Sequence, residues 1–163
     1  MSENTNNYIW SALRISLGII FLWGFFDKLF GLGFNTPPDQ SWLAGSSPTF
    51  GYLNFATYGP FAGMMQAMAG NPVVDLLYMA GLLLIGLSLI LGIGVVVAGY
   101  SGALLMLLIY ISAFPKEFHP FLDEHIIYAI ILIGIALLKP SKTWGLGERW
   151  AEVPLVQRYG FLQ

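Results

Sequence analysis

Four apolar stretches, each close to the length of a bilayer crossing, fill most of this chain and leave few folds open to it. They cover residues 9–30, 73–91, 95–114 and 121–138. A helix of about 20 residues, rising roughly 1.5 Å per residue, spans the hydrocarbon core of a membrane. A soluble fold would have to bury four such helices on every side, and 163 residues are too few to surround them. A mean hydropathy of +0.70 with only 10% charged residues agrees with the membrane reading. So does the abundance of Gly, which lets membrane helices pack closely.

The punctuation between the stretches predicts an all-α integral membrane protein, a four-transmembrane-helix bundle in a single domain over 1–163. Asn71-Pro72 marks the start of the second helix, because Pro suits a first helical turn. Gly92-Ile93-Gly94 turns the second helix tightly into the third, Pro115 ends the third, and the fourth lies between Pro120 and Pro140. Spacings such as Gly81 to Gly86 and Ser88 to Gly92 point to close helix contacts. Residues 1–7 contain Glu3 and no Lys or Arg, so the first stretch reads as a retained helix and not a cleaved leader.

Residues 31–71 form the one long connection. Its first part, to Pro48, is rich in Gly, Pro and Ser; its second, 50–69, is aromatic and Met-rich and carries no charge. So long a structureless loop is unusual, and short interfacial or re-entrant helices broken near Gly59-Pro60 suit it better. Such a segment either lids the polar end of the bundle or rests on lipid. Lys139, Lys142, Arg149 and Arg158 all follow the fourth stretch. The positive-inside rule therefore predicts a multi-pass plasma-membrane protein with both termini cytoplasmic and a cytoplasmic tail at 139–163.

Ionisable groups in such a chain are costly to bury and tend to mark working sites. Here Asp27, Lys28, Asp75, Lys116, Glu117, Asp123 and Glu124, with His119 and His125, gather at the outer end. Asp123, Glu124, His125 and Tyr128 open the fourth helix at spacings that let several share a face. Carboxylates and imidazole there can pass protons, which makes these four the candidate catalytic residues. Arg14, Lys28, Asp75 and Lys116 are the candidate substrate-binding residues, the cations suiting an anionic ligand. Arg14, Gly18, Phe21, Phe25 and Lys28 recur in steps of three or four and define one helix face. Arg14 either turns inward on that face or snorkels to lipid phosphate. Asp75 either serves its helix end or pairs with Lys28 or Lys116. His119 and His125 lack a recognised metal-ligand spacing, so no metal is expected. With no cysteine, thiolate-held iron–sulfur clusters and covalent haem are excluded. A net charge of −2 without a basic tract argues against nucleic acid.

Taken in order along roughly residues 10–150, the chain resembles the DoxD/DoxX family of membrane proteins, and its DoxD branch most closely. The resemblance lies in Arg14 with Gly18, the Gly24 and Lys28 end of the first helix, and the glycine-rich hairpin at 81–102. The 121–128 stretch and the Thr143-Trp144-Gly145-Leu146-Gly147 tail add to it. The resemblance implies a four-helix membrane subunit of a thiosulfate:quinone oxidoreductase. Such a subunit oxidises thiosulfate to tetrathionate, uses quinone as electron acceptor and works with a DoxA-like second subunit. On that expectation Lys28 and Lys116 hold thiosulfate, and the quinone head group lies near His125, Glu124 and Tyr128. The alternative is an accessory or assembly subunit of a respiratory quinol oxidase or another membrane redox complex. A small transporter is a third class, although no inverted repeat supports it.

Overall fold

The computed structural model describes residues 3–116, 119, 121–140 and 143–162. Glu117, Pro120 and Lys142, which enter the expectations above, lie outside the described residues. The long helices are α1 (Glu3–Phe30), α3 (Pro72–Leu91), α4 (Val95–Ser112) and α5 (Glu124–Leu138). Shorter pieces are α2 (Ala62–Gln66), α6 (Gly147–Ala151) and α7 (Pro154–Arg158). The long helices pack α1 on α3, α3 on α4 and α4 on α5, and α5 returns to α1, closing a four-helix ring.

Apolar residues occupy both sides of that ring. Phe21, Met79, Leu89, Leu132 and Ile135 are buried at its centre, while Ile19, Leu77, Leu84, Leu104, Ile130 and Leu137 face outward. A helix apolar on all sides belongs in lipid. The segments Thr5–Phe30, Pro72–Leu91 and Val95–Ser112 are long and apolar enough to cross a membrane. The fourth helix, expected from residue 121, is shorter. It begins at Glu124 and has 15 residues, about 22 Å at 1.5 Å per residue.

The helix boundaries have local causes. Asp123, expected inside the first turn of the fourth helix, is instead its N-cap and accepts from the His125 and Ile126 amides. Phe121 and Leu122 are thereby left outside the helix, with their N–H groups donated to His119 Nδ1. The third helix stops at Ser112, two residues before the apolar run ends. Ala113 is drawn into a bridge with Tyr58, and Phe114 precedes a proline, which disfavours helical geometry. Asn71 caps α3 by accepting from Val73 N–H at 2.9 Å. Gly92 and Gly94, both with positive φ, make the expected turn into α4.

Small residues set how closely the helices approach. A Cβ built on Gly99 would lie 2.6 Å from the Leu132 carbonyl oxygen and 2.8 Å from Ala136 Cβ. Gly86 stands equally close to Leu22 of α1, whereas Gly81, expected to serve a contact, has nothing within 4 Å. Gly99→Ala should therefore destabilise the bundle by about 1–3 kcal/mol, the usual range for overpacking a close contact. Gly81→Ala should be neutral or slightly stabilising. Thermal unfolding of the two purified variants reads the difference, and equal melting would refute the tight α4–α5 approach.

The long connection folds back over the bundle. It contains a 3-10 turn at Pro38–Gln40, a π-helical turn at Tyr52–Ala56 and α2, so short helical pieces stand on both sides of Gly59-Pro60. Tyr58 N–H donates to the Ser112 carbonyl at 3.2 Å, and Tyr52 Oη lies 2.8 Å from Ser112 Oγ. Gly59 makes this docking possible: its φ is +84°, and a Cβ there would stand 1.8 Å from the Phe114 carbonyl oxygen. The segment is thus a cap seated on the C-terminal end of α4.

The other end is closed by the tail. Leu146 N–H donates to the Leu91 carbonyl at 2.7 Å, Trp150 Nε1 donates to the Leu162 carbonyl, and Val156 is fully buried. Residues expected to trail as a tail are packed into the base of the bundle.

Candidate functional site at the capped end

Helix alternation brings the C-terminal ends of α1 and α4 and the N-terminal ends of α3 and α5 together beneath the cap. Two clefts open there. The first, about 450 Å³, is lined by Tyr58, Lys116, His119, Leu122, Asp123, Glu124 and His125. The second, about 900 Å³, is lined by Lys28, polar residues 35–36, 40 and 46–47, and the aromatics Phe50, Tyr52 and Phe55. The 50–58 segment contributes to both and runs between them.

In the first cleft Asp123 is the organising group. Its Oδ2 lies 2.9 Å from His125 Nδ1 and 3.1 Å from Lys116 Nζ, while Oδ1 accepts from the His125 and Ile126 amides. Lys116 Nζ also stands 5.3 Å from the Tyr110 ring centre, a cation–π distance. Partial burial pushes the Asp123 carboxyl up, but hydrogen bonds from His125 and Lys116, the His125 charge and the Ile126 amide outweigh it. The net result is a pKa below the ordinary value. The ionised form therefore contributes stability in full above the unfolded pKa of about 3.9. That contribution fades as pH falls through the lower folded value. The stability difference between wild type and Asp123→Asn should shrink below about pH 4. Acid melting curves of the two proteins check this, and a difference that grew on acidification would overturn the assignment.

The two imidazoles are held in opposite senses. His125 Nδ1 faces a carboxylate, so Nδ1 carries the proton and Nε2 is left as the acceptor in the neutral ring. His119 Nδ1 accepts the Phe121 and Leu122 amides at 3.3 and 3.0 Å. Its ring proton is thus on Nε2. One cleft then presents an imidazole that can accept a proton and another that can donate one, both assigned from hydrogen bonds. Glu124 sits at the rim with its side chain 66% exposed, its carboxylate 4.0 Å from His125 Nδ1. Asp123, Glu124 and His125 offer ligand atoms within 4.8 Å of one another. Asp123 Oδ2 and His125 Nδ1 are already directed at each other, however, as an ion pair directs them.

The remaining candidates separate. Tyr128 does not line this cleft; it is half-buried against the hydrophobic core. Lys28 and Lys116, both expected to hold thiosulfate, line different clefts. Asp75 pairs with neither: Oδ1 accepts from Ser47 Oγ at 2.8 Å and from Thr49 Oγ1 at 2.5 Å. It ties the cap to the start of α3. Asp27, only 1% exposed, does the same from α1 by accepting the Phe34 and Asn35 amides. Ser47, Thr49, Tyr52 and Tyr58 were not singled out in the sequence. The Ser46-Ser47-Pro48-Thr49 cluster was the available signal, since Ser and Thr beside Pro often bond a nearby acceptor.

Arg14 stands at the opposite end of the bundle, about 21 Å from Lys28 along α1 at 1.5 Å per residue. It is fully buried, with Nε on the Pro140 carbonyl, one terminal nitrogen on Leu89 and Ile90, and the other on Thr143 and Trp144. Neither snorkelling to lipid nor holding a ligand at the outer end is open to it; it clamps the end of α3 to the chain after α5. Compared with family models, curated proteins and solved structures, the chain matches none of them.

Proposed function

We propose that this chain is the membrane subunit of a thiosulfate:quinone oxidoreductase, with quinone reduced at the His125 cleft. The observation that carries the reading is the Asp123–His125–Lys116 cluster facing His119 across one cleft at the capped end. Quinone reduction needs protons at two carbonyl oxygens, and a carboxylate-oriented imidazole is suited to supplying one. The donor set fits a quinone ring: His119 Nε2–H, Lys116 and the Tyr58 hydroxyl can meet carbonyl oxygens, and Leu122 offers an apolar wall. A volume of about 450 Å³ lies within the ordinary range for small-molecule pockets.

The overall reaction balances without a further reactant. Two thiosulfate anions form one S–S bond and release two electrons as tetrathionate. The quinone takes up those electrons with two protons and leaves as quinol. Protonated His125 gives up its proton from Nε2 while Asp123 holds the ring by Nδ1, and Glu124 at the rim leads to water. Likeness to the DoxD branch supports thiosulfate as the donor and a DoxA-like chain as partner. In this reading α5 is a fourth crossing, its short span extended at the outer interface by Phe121 and Leu122. The basic residues after α5 put both termini on the cytoplasmic side of the plasma membrane.

The test is thiosulfate-dependent quinone reduction by gently purified, tagged protein, with co-purifying chains identified in the same sample. Turnover that depends on this chain supports the proposal. An intact, partner-bound preparation without turnover makes the chain an accessory subunit of the complex it is found in.

A further inference from the structure

We propose that the Lys28 cleft is a binding site for a tetrahedral oxyanion with an apolar or soft substituent, separate from the His125 cleft. Lys28 is partly buried at the end of α1 and lines a cleft of about 900 Å³ to which, among the described residues, no carboxylate side chain contributes. Among the described residues it has no acidic partner within 4.0 Å, whereas Lys116 is committed to Asp123 at 3.1 Å. The neighbouring acids are bonded to other donors. The Asp27 oxygens take the Phe34 and Asn35 amides, so Asp27 acts on Lys28 only through its charge and not by direct pairing. Asp75 Oδ1 takes Ser47 and Thr49. Those contacts also hold the cap on both sides of the cleft, so its wall is fixed in advance.

The lining matches an oxyanion in kind. The side chains of Asn35, Thr36 and Gln40 join Lys28 there, and among the described residues none of them has a protein hydrogen-bond partner. One cation with several neutral donors is how proteins hold sulfate- and phosphate-type groups. Phe50, Tyr52 and Phe55 line the same cleft. Aromatic edges favour a polarisable sulfur or an apolar ester over more hydroxyls. Two sources share this chemistry: thiosulfate, with its sulfane sulfur, and a phospholipid phosphate with its glycerol ester. The site rests on the oxidoreductase reading only for naming thiosulfate as the donor.

The experiment measures thermal protection of the full chain in a maltoside detergent, which carries no phosphate, before and after addition of phosphatidylglycerol. In the detergent alone, thiosulfate should raise the melting temperature saturably beyond chloride at equal ionic strength. Lys28→Gln should weaken that protection roughly tenfold or more. Gln40→Ala, at an exposed position that folding does not require, should weaken it several-fold. Lys28-dependent protection by phosphatidylglycerol alone would assign the site to a lipid phosphate. Equal protection of wild type and Lys28→Gln, or none from either anion, overturns the site. No quinone enters this measurement, so a binding site without turnover would strike the oxidoreductase reading and leave this one standing.

Discussion

Replacing Arg14 with methionine should destabilise the protein by roughly 3–5 kcal/mol, the range seen when a buried charged network loses one partner. The side chain is fully buried, and its guanidinium meets carbonyls of Leu89, Ile90, Pro140, Thr143 and Trp144. Leu89 and Ile90 lie in the last turn of α3, where helix carbonyls lack intrahelical partners. The other three belong to the chain that leaves α5, where Trp144 holds a positive φ. Methionine fills much of the volume but donates nothing, so several acceptors would lose their donor around a fully buried position. Arg14→Lys should recover only part of the loss, because a compact ammonium cannot reach acceptors on two segments with a planar fork. Thermal unfolding in detergent reads both variants. Melting of Arg14→Met within a degree or two of wild type would show that the clamp is dispensable.

His125→Ala should slow quinone-linked turnover about 10²- to 10⁴-fold, the usual contribution of a positioned proton donor, while melting close to wild type. Asp123→Asn should slow it as well, because an amide no longer favours the Nδ1–H tautomer and no longer balances Lys116. Asn keeps the N-cap acceptor but loses the ion pairs to Lys116 and His125, so its melting should fall modestly, by up to about 1 kcal/mol. The split between the variants is the diagnostic: His125→Ala changes rate with little change in stability, and Asp123→Asn changes both. Full turnover by His125→Ala across pH would remove His125 from the proton path.

Much of the architecture was legible because its causes are local. Residue type at each position states the apolar lengths, and proline and glycine state where a helix cannot continue; the Gly92-Ile93-Gly94 turn and the Asn71-Pro72 start follow directly. The inward face of α1 was legible for the same reason, since Arg14, Gly18, Phe21 and Phe25 share a side by helical geometry alone. Boundaries were less legible where a side chain chose between neighbouring roles. Asp123 could sit in a first turn or cap it, and capping left Phe121 and Leu122 to His119. At the outer end the sequence marked which ionisable groups would gather but not which would pair.

By itself, then, the sequence determined an all-α, lipid-facing bundle with its polar groups at one end, because burial and helix periodicity act on residues close in the chain. Only the tertiary structure decided the partners. Asp75 found Ser47 and Thr49 and not a lysine, Lys28 and Lys116 fell into separate clefts, and Arg14 became a clamp on carbonyls at the far end. Each of these pairings joins segments far apart in sequence. Helix order and the seating of the cap bring them together, and neither is written in the spacing of the residues that meet.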